Sequence, residues 1–284
     1  MIEPLIWMFK TEKFKNHFLY FIIISIVCWG ISFGLITFSQ SPELPYYLIV
    51  NRILIILGII LMILPFLCLS GYFWCLTENV IDRHQEAKVN SVYNGKAKFK
   101  EIITLPQLDF RRFVWRGIAG IVATIIMELP IILFFCLSSF SLANIVAFWS
   151  INPLVAEIIV ILAIFLIMSI IPALLWNYAR RDSIVATLNL PKAIYIIGTY
   201  TGKYIANTFL YILYSLAYGF ILYFILGSFG LAIPQAGNFG QISDFNILTN
   251  QIYVIYFIVN YLMGIYFIYV YAYLLGTIAP PSEY

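Results

Sequence analysis

Apolar residues run through this chain in long unbroken blocks, not at the intervals of an amphipathic surface helix. Six blocks stand out, at about 18–38, 47–76, 113–138, 154–179, 200–228 and 250–276. A hydrocarbon core about 30 Å thick is crossed by roughly 20 apolar residues in a helix. No water is available there to take backbone N–H and C=O groups, so each block is expected to satisfy its own as an α-helix. The pattern predicts an all-α, polytopic integral membrane protein, six transmembrane helices forming a single domain over 1–284. The second block outruns the membrane and predicts a helix that tilts or projects. The first is too long for a cleaved signal peptide and lacks a small-residue cleavage pattern, so it reads as a retained span.

Composition agrees: 63% of residues are apolar and 10% charged, against about 25% charged in soluble domains. The net charge of +3 matters less than its placement. Lys10, Lys13 and Lys15 precede the first block. Arg83, Lys88, Lys96, Lys98, Lys100, Arg111, Arg112 and Arg116 surround the gap between the second and third. Arg180, Arg181, Lys192 and Lys203 lie between the fourth and fifth, and Arg52 falls on the opposite side. The positive-inside rule then places both termini in the cytoplasm, for a multi-pass protein of the plasma (inner) membrane. Trp7, Trp74, Trp115 and Trp176 fall at the same inner boundary, where indole rings sit among headgroups. No basic tail lies outside the membrane loops, so nucleic acid is not an expected partner. The lipid bilayer and its anionic headgroups are, with further copies of the chain or other membrane proteins beside them.

The stretch "LPQLDFRRFVWRG", Leu105 to Gly117, leads into the third block, and "LPKAIYIIGTYTG", from Leu190, leads into the fifth. Proline in a first helical turn loses no needed donor, and Asp109 would follow in that turn. The reading is a short helix in the headgroup layer that bends into the span, with Phe110, Phe113, Val114 and Gly117 on one side and Leu108, Arg111, Arg112 and Trp115 on the other. Arg111, Arg112, Arg116, Arg180 and Arg181 are the lipid-surface basic residues, each worth about 1 kcal/mol against anionic lipid. The second lead-in matches the first in Leu, Pro and Gly and reads as a duplicated hairpin, with Asp182 capping a short helix from Ser183.

The segments "GYFWCLTENVIDRH", "LPQLDFRRFVWRGIAG", "MELPIILFF", "IIPALLWNYARRDSIVATLNLPKA" and "KYIANTFLYIL", with the N-terminal "IWMFKTEKFKNHFLY", carry a resemblance. Through them the chain resembles the DUF 4013 family of uncharacterised bacterial and archaeal polytopic membrane proteins. The resemblance covers most of the chain. It implies an integral membrane protein and supplies no reaction and no catalytic residues.

Polar residues inside a span are functional candidates by default. Glu128 lies about 18 Å beyond Arg116 along the third helix at 1.5 Å per residue, with Pro130 just after it. Arg52 and Glu157 open spans two and four at the outer boundary, at equal depth for an ion pair. Tyr204, Asn207, Tyr211, Tyr214 and Tyr218 share one face of span five, and Tyr253, Tyr256, Asn260, Gly264 and Tyr271 one face of span six. Facing stripes either line a polar cavity or bond across a helix interface. Glu78, Asp82 and Glu86 make an acidic edge if span two continues as a helix, best placed opposite Arg111, Arg112, Arg180 or Arg181. Cys28, Cys68, Cys75 and Cys136 all fall inside apolar runs, which argues against a disulfide framework or zinc site. No HExxH, P-loop or GxSxG motif occurs, and His17 and His84 are the two histidines. No metal, cofactor or catalytic residue is expected.

Two functions remain open. Short loops and interfacial anchors fit a non-catalytic protein that organises membrane or assists other membrane proteins. Glu128, the paired stripes and the duplicated hairpin fit a small-molecule or ion transporter, in which they would converge on one water-accessible cavity.

Overall fold

The computed structural model describes residues 13–39, 48–94, 105–127, 129, 155, 169–228 and 251–278. They are helical almost throughout, with no strand among them. The helices are α1 (Phe14–Ser39), α2 (Leu48–Asn94), α3 (110–127), α4 (169–181), α5 (Ile184–Thr187), α6 (Leu190–Thr199), α7 (Thr201–Ser228) and α8 (Gln251–Gly276). Among the described residues, four segments are long and apolar enough to cross a membrane: Phe14–Ser39, Ile49–Arg83, Thr201–Ile221 and Ile258–Gly276. The expected spans 113–138 and 154–179 are described only over 113–127 and 129, and over 155 and 169–179.

Span two does not stop at residue 76. Its helix continues to Asn94, 47 residues in all, or about 70 Å of helix, more than twice the hydrocarbon thickness. The acidic edge is therefore built on a helical extension.

By packing, the chain divides into two compact units, residues 1–69 with 209–271, and residues 70–208 with 272–284. In the first, α1 turns His17, Phe21, Ser25, Cys28, Ser32, Ile36 and Ser39 inward at intervals of three and four. Small side chains on such a seam let helix backbones approach, and in a membrane that contact replaces the missing hydrophobic drive between helices. Ser32 Oγ donates to Gly58 O on α2 at 2.7 Å and Trp29 Nε1 donates to Met62 O at 3.2 Å, which pins α1 to α2 at two successive turns. Trp29, Phe66 and Tyr261, one from each of α1, α2 and α8, meet edge to face with centroids 5.0 and 5.2 Å from the Tyr261 ring.

In the second unit α2 and α3 approach more closely still. A Cβ on Gly71 would lie 1.7 Å from Phe113 O and 2.8 Å from Gly117 N, both main-chain atoms, and one on Gly120 would enter the Trp74 indole. Glycine at these two positions is what allows the crossing. Trp74 then meets Tyr178 edge to face at 4.8 Å, and Ala123, Met127, Trp176 and Ile278 pack in the same core.

The lead-in to α3 departs from expectation. Residues 105–109 are not helical and the helix starts at Phe110. Asp109 is its cap: Oδ1 accepts from Arg112 N at 3.2 Å and its carbonyl from Phe113 N at 3.0 Å. A carboxylate that satisfies a first-turn donor outcompetes a start at proline three residues earlier. The second lead-in does form a separate helix, α6, capped by Asn189 accepting from Lys192 N at 3.1 Å with proline in the first turn. The caps fall at different positions relative to the two Leu-Pro pairs, so the proposed hairpin repeat is not matched in local structure.

Replacing Gly71 with Ala should destabilise the protein by about 3 kcal/mol, because a main chain cannot swing aside as a side chain does. Gly219→Ala, with nothing within 4 Å of its added Cβ, should stay within about 0.5 kcal/mol of wild type. Thermal unfolding of both variants in the same detergent measures the difference.

Candidate functional site

Arg116 was expected at the lipid surface. It is instead 4% exposed. Helix α3 carries it inward because the Gly71 crossing brings this face of α3 against α2. A buried guanidinium costs several kcal/mol unless its fork of donors is met; here both terminal nitrogens are hydrogen-bonded, while Nε makes a charge contact without a hydrogen bond. Nη1 binds the Glu78 carboxylate on α2 and lies 3.5 Å from Cys75 Sγ. Nη2 donates to Ala179 O on α4 at 2.9 Å, and Nε lies 3.0 Å from Asp182 Oδ1. The Arg116 carbonyl in turn accepts from Tyr178 OH at 3.4 Å. Glu78 is shared with the exposed Arg112, 3.2 Å away. Glu78 of the acidic edge thus faces Arg112 and Arg116, and Arg116 ties α2 to the start of α3 and the end of α4.

Asp182 reaches this position through an unusual backbone. Its φ of 48° lies in the left-handed region, which Asp tolerates better than most residues. Its N–H donates to Tyr178 O at 2.8 Å and closes α4. The expected role as cap of the next helix is not what it does: Ser183 occupies the cap of α5, without a side-chain bond. The reversal directs the Asp182 carboxylate to Arg116 instead.

The other boundary residues divide. Arg111, Arg112 and Arg181 are exposed and Arg180 is half-buried. Trp115 is 64% exposed, as an interfacial anchor should be, whereas Trp74 and Trp176 are core residues. Their rings are covered by protein, so they do not sit among headgroups. Trp176 instead carries two cations over its face, Arg180 Cζ at 5.6 Å and Lys192 Nζ at 5.7 Å from the centroid. Burial, followed by repulsion from Arg180 and Arg181, pulls the Lys192 ammonium from 10.5 down to about 8.

The polar stripes meet protein partners. Within the second unit, Tyr204 is 3% exposed and its OH donates to Ser169 O. Asn207 Nδ2 donates to Leu274 O at 2.9 Å and to Thr277 Oγ1 at 3.0 Å. Within the first, Ser215 Oγ lies 3.2 Å from Tyr271 OH, Tyr218 OH donates to Asn260 Oδ1, and the Tyr211 and Tyr271 rings meet at 4.8 Å, tilted by 53°. Tyr214 is buried on the same helix. Tyr256 lies on α8 with its side chain outside the described set, as does that of Tyr253. Glu128 and Glu157 lie outside the described residues, so neither the intramembrane acid nor the outer pair with the exposed Arg52 is placed.

Two features escaped the sequence reading. Ser25, Ser32 and Ser39 fall seven residues apart on the buried seam of α1, a period that could have been read directly. Asn177, 1% exposed, has neither amide atom hydrogen-bonded among the described residues; one Asn in an apolar run gives no such signal. No group of three or more metal-ligating side chains occurs among the described residues. No protein-family model matches the chain, and neither a curated protein nor a solved structure matches it.

Arg116→Met should cost about 1–3 kcal/mol by removing the hydrogen bonds to Glu78 and Ala179 O and leaving that carbonyl unmet. Arg116→Lys should fall between it and wild type, since one ammonium cannot reach the three directions of the fork. Unfolding temperatures of the two variants test this order.

Lys192 sets a pH dependence. Its folded pKa lies below the unfolded one, so between about 8 and 10.5 the unfolded chain binds the extra proton and stability rises with pH. The cost of holding the ammonium is full below about 8. Lys192→Met should therefore unfold at a higher temperature than wild type at pH 7, and the gap should shrink by pH 10.

Proposed function

We propose that this chain is a six-span protein of the plasma (inner) membrane, with both termini cytoplasmic, that acts without catalysis as a membrane-organising or accessory protein. The observation that carries the reading is the bonding of polar groups between spans five and six: Asn207 with Leu274 and Thr277, Ser215 with Tyr271, and Tyr218 with Asn260. Polar groups that take one another as partners close a helix interface. Those of a transport site must be left to meet substrate and water.

The ends of the helices support the topology. Arg116 at the head of span three bonds Glu78 and faces Asp182, which close spans two and four. Asn207 near the start of span five bonds Thr277 at the end of span six, and Phe14, opening span one, meets Tyr269 near the end of span six at 5.3 Å. Each contact joins residues that the charge pattern assigns to the cytoplasmic side. Membership of the DUF 4013 family is part of the same proposal and rests on the sequence segments quoted for it.

The test uses single-cysteine variants at Glu128, Asn207, Tyr211 and Asn260 in a background without native cysteine. A membrane-impermeant thiol reagent should leave all four unmodified, while Lys98→Cys reacts from the cytoplasmic side and Asn238→Cys from the outer side. Modification at several of the four would replace this reading with transport through a water-filled path. Reversed sidedness at the two loop positions would overturn the topology.

A further inference from the structure

Helix α3 has two faces. Phe113, Arg116, Gly117, Gly120, Ala123 and Met127 are buried within their own unit. Arg111, Trp115, Ile118, Val122, Ile125 and Leu129 recur at intervals of four and three, and all six are exposed. At 100° per residue the six fall within about 80° of one another, centred opposite the buried set. The exposed stripe is graded along the axis: a cation first, then an indole, then four aliphatic side chains. At 1.5 Å per residue Trp115 lies about 6 Å and Ile118 about 10 Å beyond Arg111. The headgroup layer on each side of a bilayer is about 5–8 Å deep, so charge, indole and aliphatic surface follow one another as headgroup, interface and hydrocarbon do. Arg111 to Ile125 covers about 21 Å, about half of a bilayer 40–45 Å thick with its headgroups. The stripe is one leaflet long.

The fold does not use the cation at its top. Arg112 pairs with Glu78, and Arg116 binds Glu78 and Ala179 O. Asp109 Oδ1 accepts from the Arg112 amide. The side chain of Arg111 has no hydrogen bond, ion pair or ring partner among the described residues, and nor has that of Trp115.

We propose that this stripe is a binding site for one anionic phospholipid. The Arg111 guanidinium takes the phosphate through its fork of donors. The Trp115 indole lies at the level of the glycerol esters, where its N–H donates to an ester carbonyl, and one acyl chain runs along Ile118, Val122 and Ile125. Charge selects this occupant over a second copy of the chain. A copy meeting the same face about a two-fold axis along the membrane normal would set Arg111 against Arg111 at equal depth. The inference deepens the membrane-organising reading and rests on it for placing α3 as a span with Arg111 at its cytoplasmic end.

The purified full-length chain in neutral detergent is titrated with short-chain phosphatidylglycerol and, separately, with phosphatidylcholine of the same chain length. One phosphatidylglycerol per chain should bind saturably and more tightly than phosphatidylcholine. Arg111→Gln should weaken phosphatidylglycerol about fivefold and bring it close to phosphatidylcholine. Arg112→Gln, whose charge is already met by Glu78, should change the ratio of the two by less than about twofold. Trp115→Ala should weaken both lipids alike, since both carry the ester carbonyls. Thermal unfolding alongside identifies folded variants. If Arg111→Gln or Trp115→Ala fails to fold, the other decides. Absence of saturable binding overturns the site, as do equal effects of Arg111→Gln and Arg112→Gln, which would mark diffuse charge. Displacement of the lipid by inorganic phosphate at the same concentration would overturn phospholipid as the occupant. A change from dimer to monomer in Trp115→Ala, with lipid binding unaltered, would assign the face to a second copy. Loss of lipid selectivity with protected spans would remove this site alone. Cysteines modified inside the spans would instead remove the organising role and leave the dependence of lipid binding on Arg111 standing.

Discussion

Burial of the Arg116 guanidinium constrains the rest of its unit. A charge with 4% exposure is tolerable only if acceptors converge on it, and the acceptors come from different stretches of chain. Glu78 requires α2 to remain helical beyond the apolar block, and Asp182 requires a left-handed residue straight after α4. Ala179 O requires α4 to end where its last carbonyls are unclaimed by the helix itself. Each is a local deviation from the simplest membrane pattern, and one side chain accounts for all three. Removing the cation would leave Glu78 to Arg112 alone, the half-exposed Asp182 to solvent and Ala179 O without its donor.

Away from that junction, polar groups are settled by short-range pairing. Ser25, Thr77 and Thr124 hydroxyls return to carbonyls three or four residues earlier, so each satisfies itself without a partner helix. Ser32, Asn207 and Tyr218 reach across to another helix. Such bonds average about 0.6 kcal/mol each in membranes, too little to hold helices together singly. They choose which faces meet, while the small residues at Gly71, Gly120 and along the serine seam set how near. A structure organised this way has its polar surface committed inward in pairs, which is the physical content of reading it as a dry membrane protein.

What could be read from sequence follows from what each signal measures. Apolar block length reports the solvent, so the all-α class and the membrane character were legible, and the helices over Phe14–Ser39 and Thr201–Ser228 fall close to the expected spans. The facing stripes were legible for the same reason, as a period of one helix. The fate of Arg116 was not. It sits in a run of three arginines that look equivalent, and only the close approach at Gly71 decides which of them turns inward. Trp74 and Trp176 misled because indole at a boundary suits headgroups and cores alike, and tertiary packing chooses. The start of α3 was misjudged because proline and Asp109 both mark helix beginnings, and a hydrogen-bonding carboxylate is the stronger mark. The serine heptad of α1 was available and is a reminder that small residues, more than charges, encode helix contact in a membrane.

The two lead-ins, alike in sequence, solve different problems. In the first, Asp109 starts the helix late, and Arg112 and Arg116 fall at the third and seventh residues of α3, where the first reaches Glu78 and the second both Glu78 and Asp182. In the second, Asn189 starts α6 early and places Lys192 in its first turn, over Trp176, with Arg180 and Arg181 delivered by the end of α4. The first set of charges is largely consumed in joining helices. The second brings Arg180 and Lys192 over the buried Trp176 ring by way of two short turns. Burial first, and the neighbouring Arg180 and Arg181 second, depress the Lys192 ammonium. The position of two cap residues, not the number of arginines, thus separates two lead-ins that look alike in sequence.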